Sequence, residues 1–158
     1  MEKTNVMRLL EQKKIKYTPH FYDNTMTDGE SIARVLGESC ECTFKTLVTE
    51  DGNRHYFVFV IPVHLALDLK KAAKTAGVKA LAMLPQKNLL PLTGYIHGGC
   101  SPIGMKKKFP TYIDQSVTTI DKMFCSAGKV GAQIEVAPRD LINYTGAKTA
   151  DLTKPKEA

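Results

Sequence analysis

Long apolar runs are missing from this chain. No stretch approaches the roughly 18 residues that a membrane-spanning helix needs, so no membrane association is expected. The amino-terminal Met1-Glu2-Lys3-Thr4-Asn5 has no apolar segment of the kind a secretory signal carries, and export is not expected either. Cysteine is sparse: Cys40, Cys42, Cys100 and Cys125 show no paired metal-ligand spacing, and Cys40-x-Cys42 alone is a poor zinc signal. Reduced thiols and a cytoplasmic location follow as the simplest expectations. His20, His55, His64 and His97 are scattered without HxxxH or HExxH spacing, so neither a metal site nor a cofactor is expected. There is no internal repeat, and no linker divides the chain.

What is present fits one ordinary domain. A chain of 158 residues is long enough to bury roughly 70% of its unfolded surface. Hydrophobic residues make up 43% and charged residues 24%, which speaks against disorder except in a flexible tail from about 153 to 158. The formal net charge of +6 suits a polyanionic partner, although many basic proteins bind nothing anionic.

Periodicity predicts the elements. Thr4 caps a helix to about Lys14 with Val6, Leu9, Leu10 and Lys13 at helical spacing. Tyr17 to Tyr22 reads as a strand that Pro19 confines to an edge or an end. Thr27-Asp28-Gly29-Glu30 has capping-box spacing ahead of a helix over 32–36 that Gly37 stops. The clearest signal is a hairpin: 43–49 and 55–61 flank Asp51-Gly52-Asn53, and the second strand is apolar almost throughout, hence central. A helix follows from Asp68 to Ala76, a strand over Lys79–Met83, and a helical turn from Pro85 to Leu92. Further strands are expected at 111–114, 123–125, 133–136 and 147–152, with Ser126 to Gly131 as a connection. Pro138 opens a helix through Tyr144. The mixture predicts a single α/β (α+β) domain with a mixed sheet.

Two features invite chemistry. Lys45 sits among apolar and β-branched neighbours in the first hairpin strand, so it either reaches solvent at the strand end or faces an anionic ligand. Gly98-Gly99-Cys100-Ser101-Pro102-Ile103-Gly104-Met105-Lys106-Lys107-Lys108 packs three glycines, a proline and three lysines into one stretch. It is poorly suited to a helix or central strand and reads as a rigid loop presenting backbone amides, or as a turn followed by a solvated basic run. Gly99 to Gly104 has the gap of a phosphate-binding loop, but Met105 replaces the required lysine and no serine or threonine follows Lys106, which excludes a nucleotide triphosphatase. Cys100 near His97 invites a thiol nucleophile, yet a three-residue separation says nothing of geometry, and a passive Cys100 is expected.

Taken together, Phe44-Lys45-Thr46-Leu47-Val48, Leu67-Asp68-Leu69-Lys70-Lys71, Thr93-Gly94-Tyr95, Gly98 to Gly104 and Ser126-Ala127-Gly128-Lys129 resemble the YbaK/EbsC family. These are free-standing relatives of the editing domain of bacterial prolyl-tRNA synthetases. The resemblance spans nearly the whole chain and implies a barrel-like mixed sheet surrounded by helices. It also implies deacylation of mischarged tRNA, mainly Cys-tRNA(Pro), with Cys-tRNA(Cys) a second candidate. Residue by residue, it implies that Lys45 is essential, with Gly99 and Ser101 as its catalytic companions. Tyr22, Thr46, Gly98, Pro102, Gly104, Ser126 and Gln133 would bind substrate. Two positions depart from the family pattern: Gln133 replaces a frequent aspartate and Val130 a usual arginine. Glutamine keeps hydrogen-bonding capacity but is neither an anion nor a general base.

On this resemblance, amides of the 98–104 loop would hold the oxyanion of ester cleavage, and Lys45 would orient the terminal nucleotide or stabilise charge. The family's proposed nucleophile is the substrate's own thiol, with water attack as the alternative. Lys106, Lys107 and Lys108 would grip the acceptor end of the tRNA, and a prolyl-tRNA synthetase partner would supply tRNA identity, since phosphate contacts carry little of it. Two other readings stay open: an editing enzyme for alanine or another small amino acid, and a non-catalytic module binding RNA or a synthetase.

Overall fold

The computed structural model describes residues 2–157. Helix α1 (Asn5–Gln12) starts where the Thr4 hydroxyl accepts from the Met7 amide, and it buries Val6, Met7 and Leu10. Strand β1 (Thr18–Phe21) leads to α2 (Gly29–Leu36). The cap of α2 is Asp28, not Thr27: a carboxylate at a helix N-terminus both accepts the Ser31 amide and complements the dipole. At the other end Gly37 takes φ +70, and the Glu38 amide folds back onto the Ala33 carbonyl at 2.8 Å, which fixes where Glu38 projects.

The hairpin forms as its pattern requires. β2 (Phe44–Glu50) pairs antiparallel with β3 (Tyr56–Pro62), in register from Phe44↔Pro62 to Glu50↔Tyr56, and Asp51 closes the tip by accepting the Asn53 and His55 amides. Then come β4 (Leu65–Leu67), α3 (Leu69–Ala76), β5 (Ala82–Met83), α4 (Leu89–Thr93), β6 (Thr111–Asp114), β7 (Met123–Lys129), β8 (Ala132–Val136), α5 (Pro138–Thr145), β9 (Lys148–Ala150) and β10 (Thr153–Pro155).

A five-stranded mixed sheet runs β5-β2-β3-β6-β9, with β6 parallel to both its neighbours. A three-stranded antiparallel sheet runs β1-β8-β7, placing Pro19 on an edge, where its missing donor costs nothing. β10 pairs with β4. The single bridge Thr43↔Phe124 joins the two larger sheets, so the mixed architecture is present but the sheets stay open, without closing into a barrel among the described residues. β3 is central and buries both faces. Val58 and Val60 join a core with α1, Ile113 and Ile134, while Phe57, Phe59 and Ile61 join a second core with Ala72 and Ala73 of α3.

Some expectations need correction. The strand over Lys79–Met83 reduces to Ala82–Met83, because only these residues find a partner, on β2. Most of the expected connection at Ser126–Gly131 is strand, with an irregularity between Ser126 and Lys129 that absorbs Gly128 at φ +90. The last strand shortens to Lys148–Ala150. Within the tail expected from 153 to 158, Thr153–Pro155 forms β10, Lys71 Nζ donates to the Thr153 carbonyl at 2.9 Å, and Lys156 pairs with Glu30 at 3.0 Å. Ala158, the end of that tail, lies outside the described residues.

Candidate active site

β2 and β7 meet at the Thr43–Phe124 bridge and then diverge. On the side facing away from β3, β2 has no strand partner from Phe44 to Leu47 among the described residues; β5 takes up pairing only at Thr49. A pocket of about 150 Å³ lies along this open edge. It gathers Tyr22, Lys45, Thr46, Gly98, Ser126 and Gln133, which come from five separate parts of the chain. Ser126 and Gln133 stand directly opposite each other across β7 and β8, so they present to the same face.

Lys45 is half-buried, and its ammonium has only a long contact, 3.5 Å to the Val63 carbonyl oxygen. Burial pulls its pKa below the ordinary value and Lys156 adds to that, while Glu30 and Asp28 at the start of α2 oppose it. The cation is thus poorly solvated and incompletely paired, and it faces the pocket. Beside it, the Thr46 hydroxyl is buried without a hydrogen-bond partner among the described residues. A buried hydroxyl left unpaired costs about 1–3 kcal/mol.

One residue of the site carried no signal in the sequence. Glu38, placed by the glycine-terminated end of α2, lies behind Gln133. With the amide nitrogen turned toward it, Gln133 donates to Glu38 Oε2 at 2.8 Å and Oε1 at 3.0 Å. Burial pushes the Glu38 carboxyl up to about 6. The Thr43 hydroxyl, His20 and Lys122 work against that shift, and Glu135 works with it. The neutral glutamine therefore has a carboxylate at its back, supplied by a different element. Only a sharp turn after Gly37 hints at it in the sequence, and that turn does not say what Glu38 will meet.

The glycine-rich loop divides between two tasks. The Gly99 amide donates to the Ile96 carbonyl at 3.0 Å, closing a turn in which Gly98 takes φ +86. A Cβ on Gly98 would lie 2.8 Å from Thr27 Cγ2, and one on Gly99 3.0 Å from the Val130 backbone nitrogen. Val130, in place of an arginine, therefore packs behind the loop. Ser101 is 0% exposed, and its hydroxyl accepts the Ile103 amide at 3.2 Å. Gly99 and Ser101, expected as catalytic residues, are used here to hold the loop's shape and do not line the pocket. The amides of Gly98 and Cys100 have no carbonyl partner among the described residues. Burial pushes the Cys100 thiol up to about 12, which leaves it without thiolate character.

Pro102 and Gly104, expected to bind substrate, line a different and larger cleft of about 720 Å³. There Lys13, Lys107 and Lys108 surround Phe109, Asn143 and Tyr144. The basic run is split: Lys106 turns away and donates to the Pro91 carbonyl at 3.5 Å. No helix among the described residues is long and apolar enough to cross a membrane.

Fold and pocket together define a small mixed α/β protein with a lysine-lined pocket on an open strand edge. The profile described as "Aminoacyl-tRNA editing domain" matches residues 23–144, and the chain belongs to that family. EbsC of Enterococcus faecalis, described as a candidate Cys-tRNA(Pro)/Cys-tRNA(Cys) deacylase, is 44% identical over 154 residues, covering 96% of this chain and 94% of that one. A proline–tRNA ligase of Methylobacillus flagellatus is 26% identical over 107 residues, which are 65% of this chain and 19% of the ligase. Among solved structures, a candidate trans-editing enzyme for prolyl tRNA synthetase superposes with a TM-score of 0.83 over 94% of each chain, at 24% identity, a likeness of fold.

Proposed function

We propose that this chain cleaves the ester of mischarged tRNA, with Cys-tRNA(Pro) as its principal substrate and Cys-tRNA(Cys) as a second. The observation that carries this reading is the Lys45 ammonium, half-buried beside the unpartnered Thr46 hydroxyl at the open edge of β2. The identity to EbsC supports the same substrate class. A pocket of about 150 Å³ has room for a small amino-acid side chain.

Ester cleavage builds negative charge on the carbonyl oxygen. Within the 98–104 loop, the Gly98 and Cys100 amides are donors left to hold the oxyanion, each such donor being worth about 10²–10³ in rate. Lys45 adds a charge that little water screens. For a cysteinyl ester the substrate sulfur attacks its own carbonyl carbon: a C–S bond forms, the C–O bond to the ribose breaks, and the ribose oxygen takes up the thiol proton. The four-membered thiolactone is strained, which offsets part of the intramolecular advantage of about 10⁵–10⁸ M. Attack by water gives free cysteine directly. In the larger cleft, Lys107 and Lys108 face the phosphates of the acceptor end. Selection of tRNA(Pro) then falls to a prolyl-tRNA synthetase that hands over its product.

A deacylation panel tests this reading: the chain releases cysteine from cysteinyl-tRNA(Pro), and Lys45→Ala does not. Release no faster than the uncatalysed background would reject it. The neutral Gln133 supports a second reading, preference for alanine, and faster release from alanyl-tRNA(Pro) than from cysteinyl-tRNA(Pro) would establish it. Salt-sensitive tRNA binding with no turnover of either would leave a binding module.

A further inference from the structure

The contact between Glu38 and Gln133 is a polar arrangement at the pocket wall that ester cleavage, as set out above, does not use. An amide has two unlike ends, and what lies behind it decides which end the pocket meets. An ionised carboxylate only accepts hydrogen bonds, so the Gln133 nitrogen must face Glu38, at 2.8 and 3.0 Å. The other end of the amide, where only donors lie, is then the oxygen. Gln133 is 5% exposed and lines the pocket, and its amide oxygen has two lone pairs with which to accept. An aminoacyl ester carries at its α-carbon an ammonium group, a compact cation with donors and no acceptor.

We propose that Glu38 is a positioning residue: its carboxylate holds the Gln133 amide so that Oε1 accepts a hydrogen bond from the α-ammonium group of the aminoacyl ester, restricting the pocket to esters with a free α-amino group. The inference rests on the deacylase reading and adds to it a recognition element and a substrate restriction. Glu38 acts only through Gln133, and Gln133 meets the substrate.

The arrangement carries a pH dependence. The groups facing Glu38 are His20 on β1, Glu135 on β8, Lys122 just before β7 and Thr43 just before β2, with His20 and Glu135 themselves paired at 2.8 Å. Above about 6 Glu38 is ionised and the amide is held as described. Below it, the protonated carboxyl becomes a donor, Gln133 Oε1 turns back to accept from it, and the NH2 end faces the substrate cation. Turnover of free-amino esters therefore falls as the pH drops through about 6.

The test uses the full chain with cysteinyl-tRNA(Pro) and its N-acetyl form, over pH 5 to 8, for wild type, Glu38→Gln and His20→Asn. Wild type favours the free amine at least about tenfold, the worth of one charge-assisted hydrogen bond. Glu38→Gln, which presents either end of an amide to Gln133, lowers that preference to near unity and removes the inflection near 6, while His20→Asn keeps both. In parallel, the side-chain NH2 resonances of Gln133 titrate with the same midpoint in wild type and lie flat in Glu38→Gln, independent of any turnover. An inflection that survives Glu38→Gln and vanishes in His20→Asn overturns the assignment, as does an unchanged preference for the free amine in a folded Glu38→Gln. Absence of turnover on any ester with an intact Gln133 titration rejects the deacylase reading and with it the ammonium contact, whereas normal turnover with no such titration rejects the role of Glu38 alone.

Discussion

The Lys45 ammonium stands 3.5 Å from the backbone oxygen of Val63, one residue past the end of the strand that pairs with its own. That contact is long for a charged donor. A half-buried cation held this loosely contributes little to folding and is available to a ligand. Lys45→Met keeps the apolar stem and removes the charge. It lowers deacylation by about 10² or more, in line with loss of one charge-stabilising group, and leaves the thermal midpoint unchanged or raised. Kinetics and a melting curve on the same preparation check both halves; a large loss of stability would show that Lys45 holds the fold.

Thr46 makes a complementary case. Its buried hydroxyl has no partner, so Thr46→Val replaces an unpaired polar atom by a methyl group of similar size. Stability rises by about 0.5–1 kcal/mol. Turnover falls. Urea unfolding beside the deacylation assay measures the opposition, and a loss of stability would mean that the hydroxyl has a protein partner in solution.

Two glycines with nearly equal backbone angles separate conformation from packing. Gly98 (φ +86) has Thr27 Cγ2 where a Cβ would go, whereas Gly52 (φ +84) has nothing within 4 Å. Gly52→Ala costs about 1 kcal/mol for the positive φ alone. Gly98→Ala costs about 1–3 kcal/mol more from the added clash and also reduces turnover by displacing the pocket roof. Equal midpoints for the two variants in urea would refute the close approach of Thr27.

The split basic run gives a salt-dependence prediction. Lys107→Ala and Lys108→Ala each weaken tRNA binding and reduce the slope of log affinity against log salt by about 0.7–0.9, the value for one phosphate contact. Lys106→Ala, whose ammonium turns toward Pro91, leaves the slope as it is. Filter binding across a salt series distinguishes them, and an equal effect of all three would mean a diffuse basic surface in place of the cleft.

Much of this was readable along the chain because the determinants are local. The β2–β3 hairpin follows from alternation and the Asp51 tip, and glycine stops at Gly37, Gly77 and Gly146 all take positive φ. β10 was not readable: a short segment with Lys154 and Pro155 has no strand signature, and it pairs only because Leu65–Leu67 offers an edge across the fold. The contacts of Gly99 and Ser101 within the loop were not readable for a related reason. A glycine and a serine that build a turn have the same spelling as a glycine and a serine that touch a substrate.

The sequence by itself determined the mixed α/β class, the lysine on the first hairpin strand and the loop that would approach it, since each rests on neighbouring residues and their periodicity. Only the tertiary structure decided which atoms share the pocket. It parted β2 from β7 past the Thr43–Phe124 bridge, engaged the Gly99 amide and the Ser101 hydroxyl within the loop, and set Glu38 behind Gln133. Those outcomes depend on contacts between residues far apart in the chain, where burial and hydrogen-bond satisfaction select the partner and no local pattern records it.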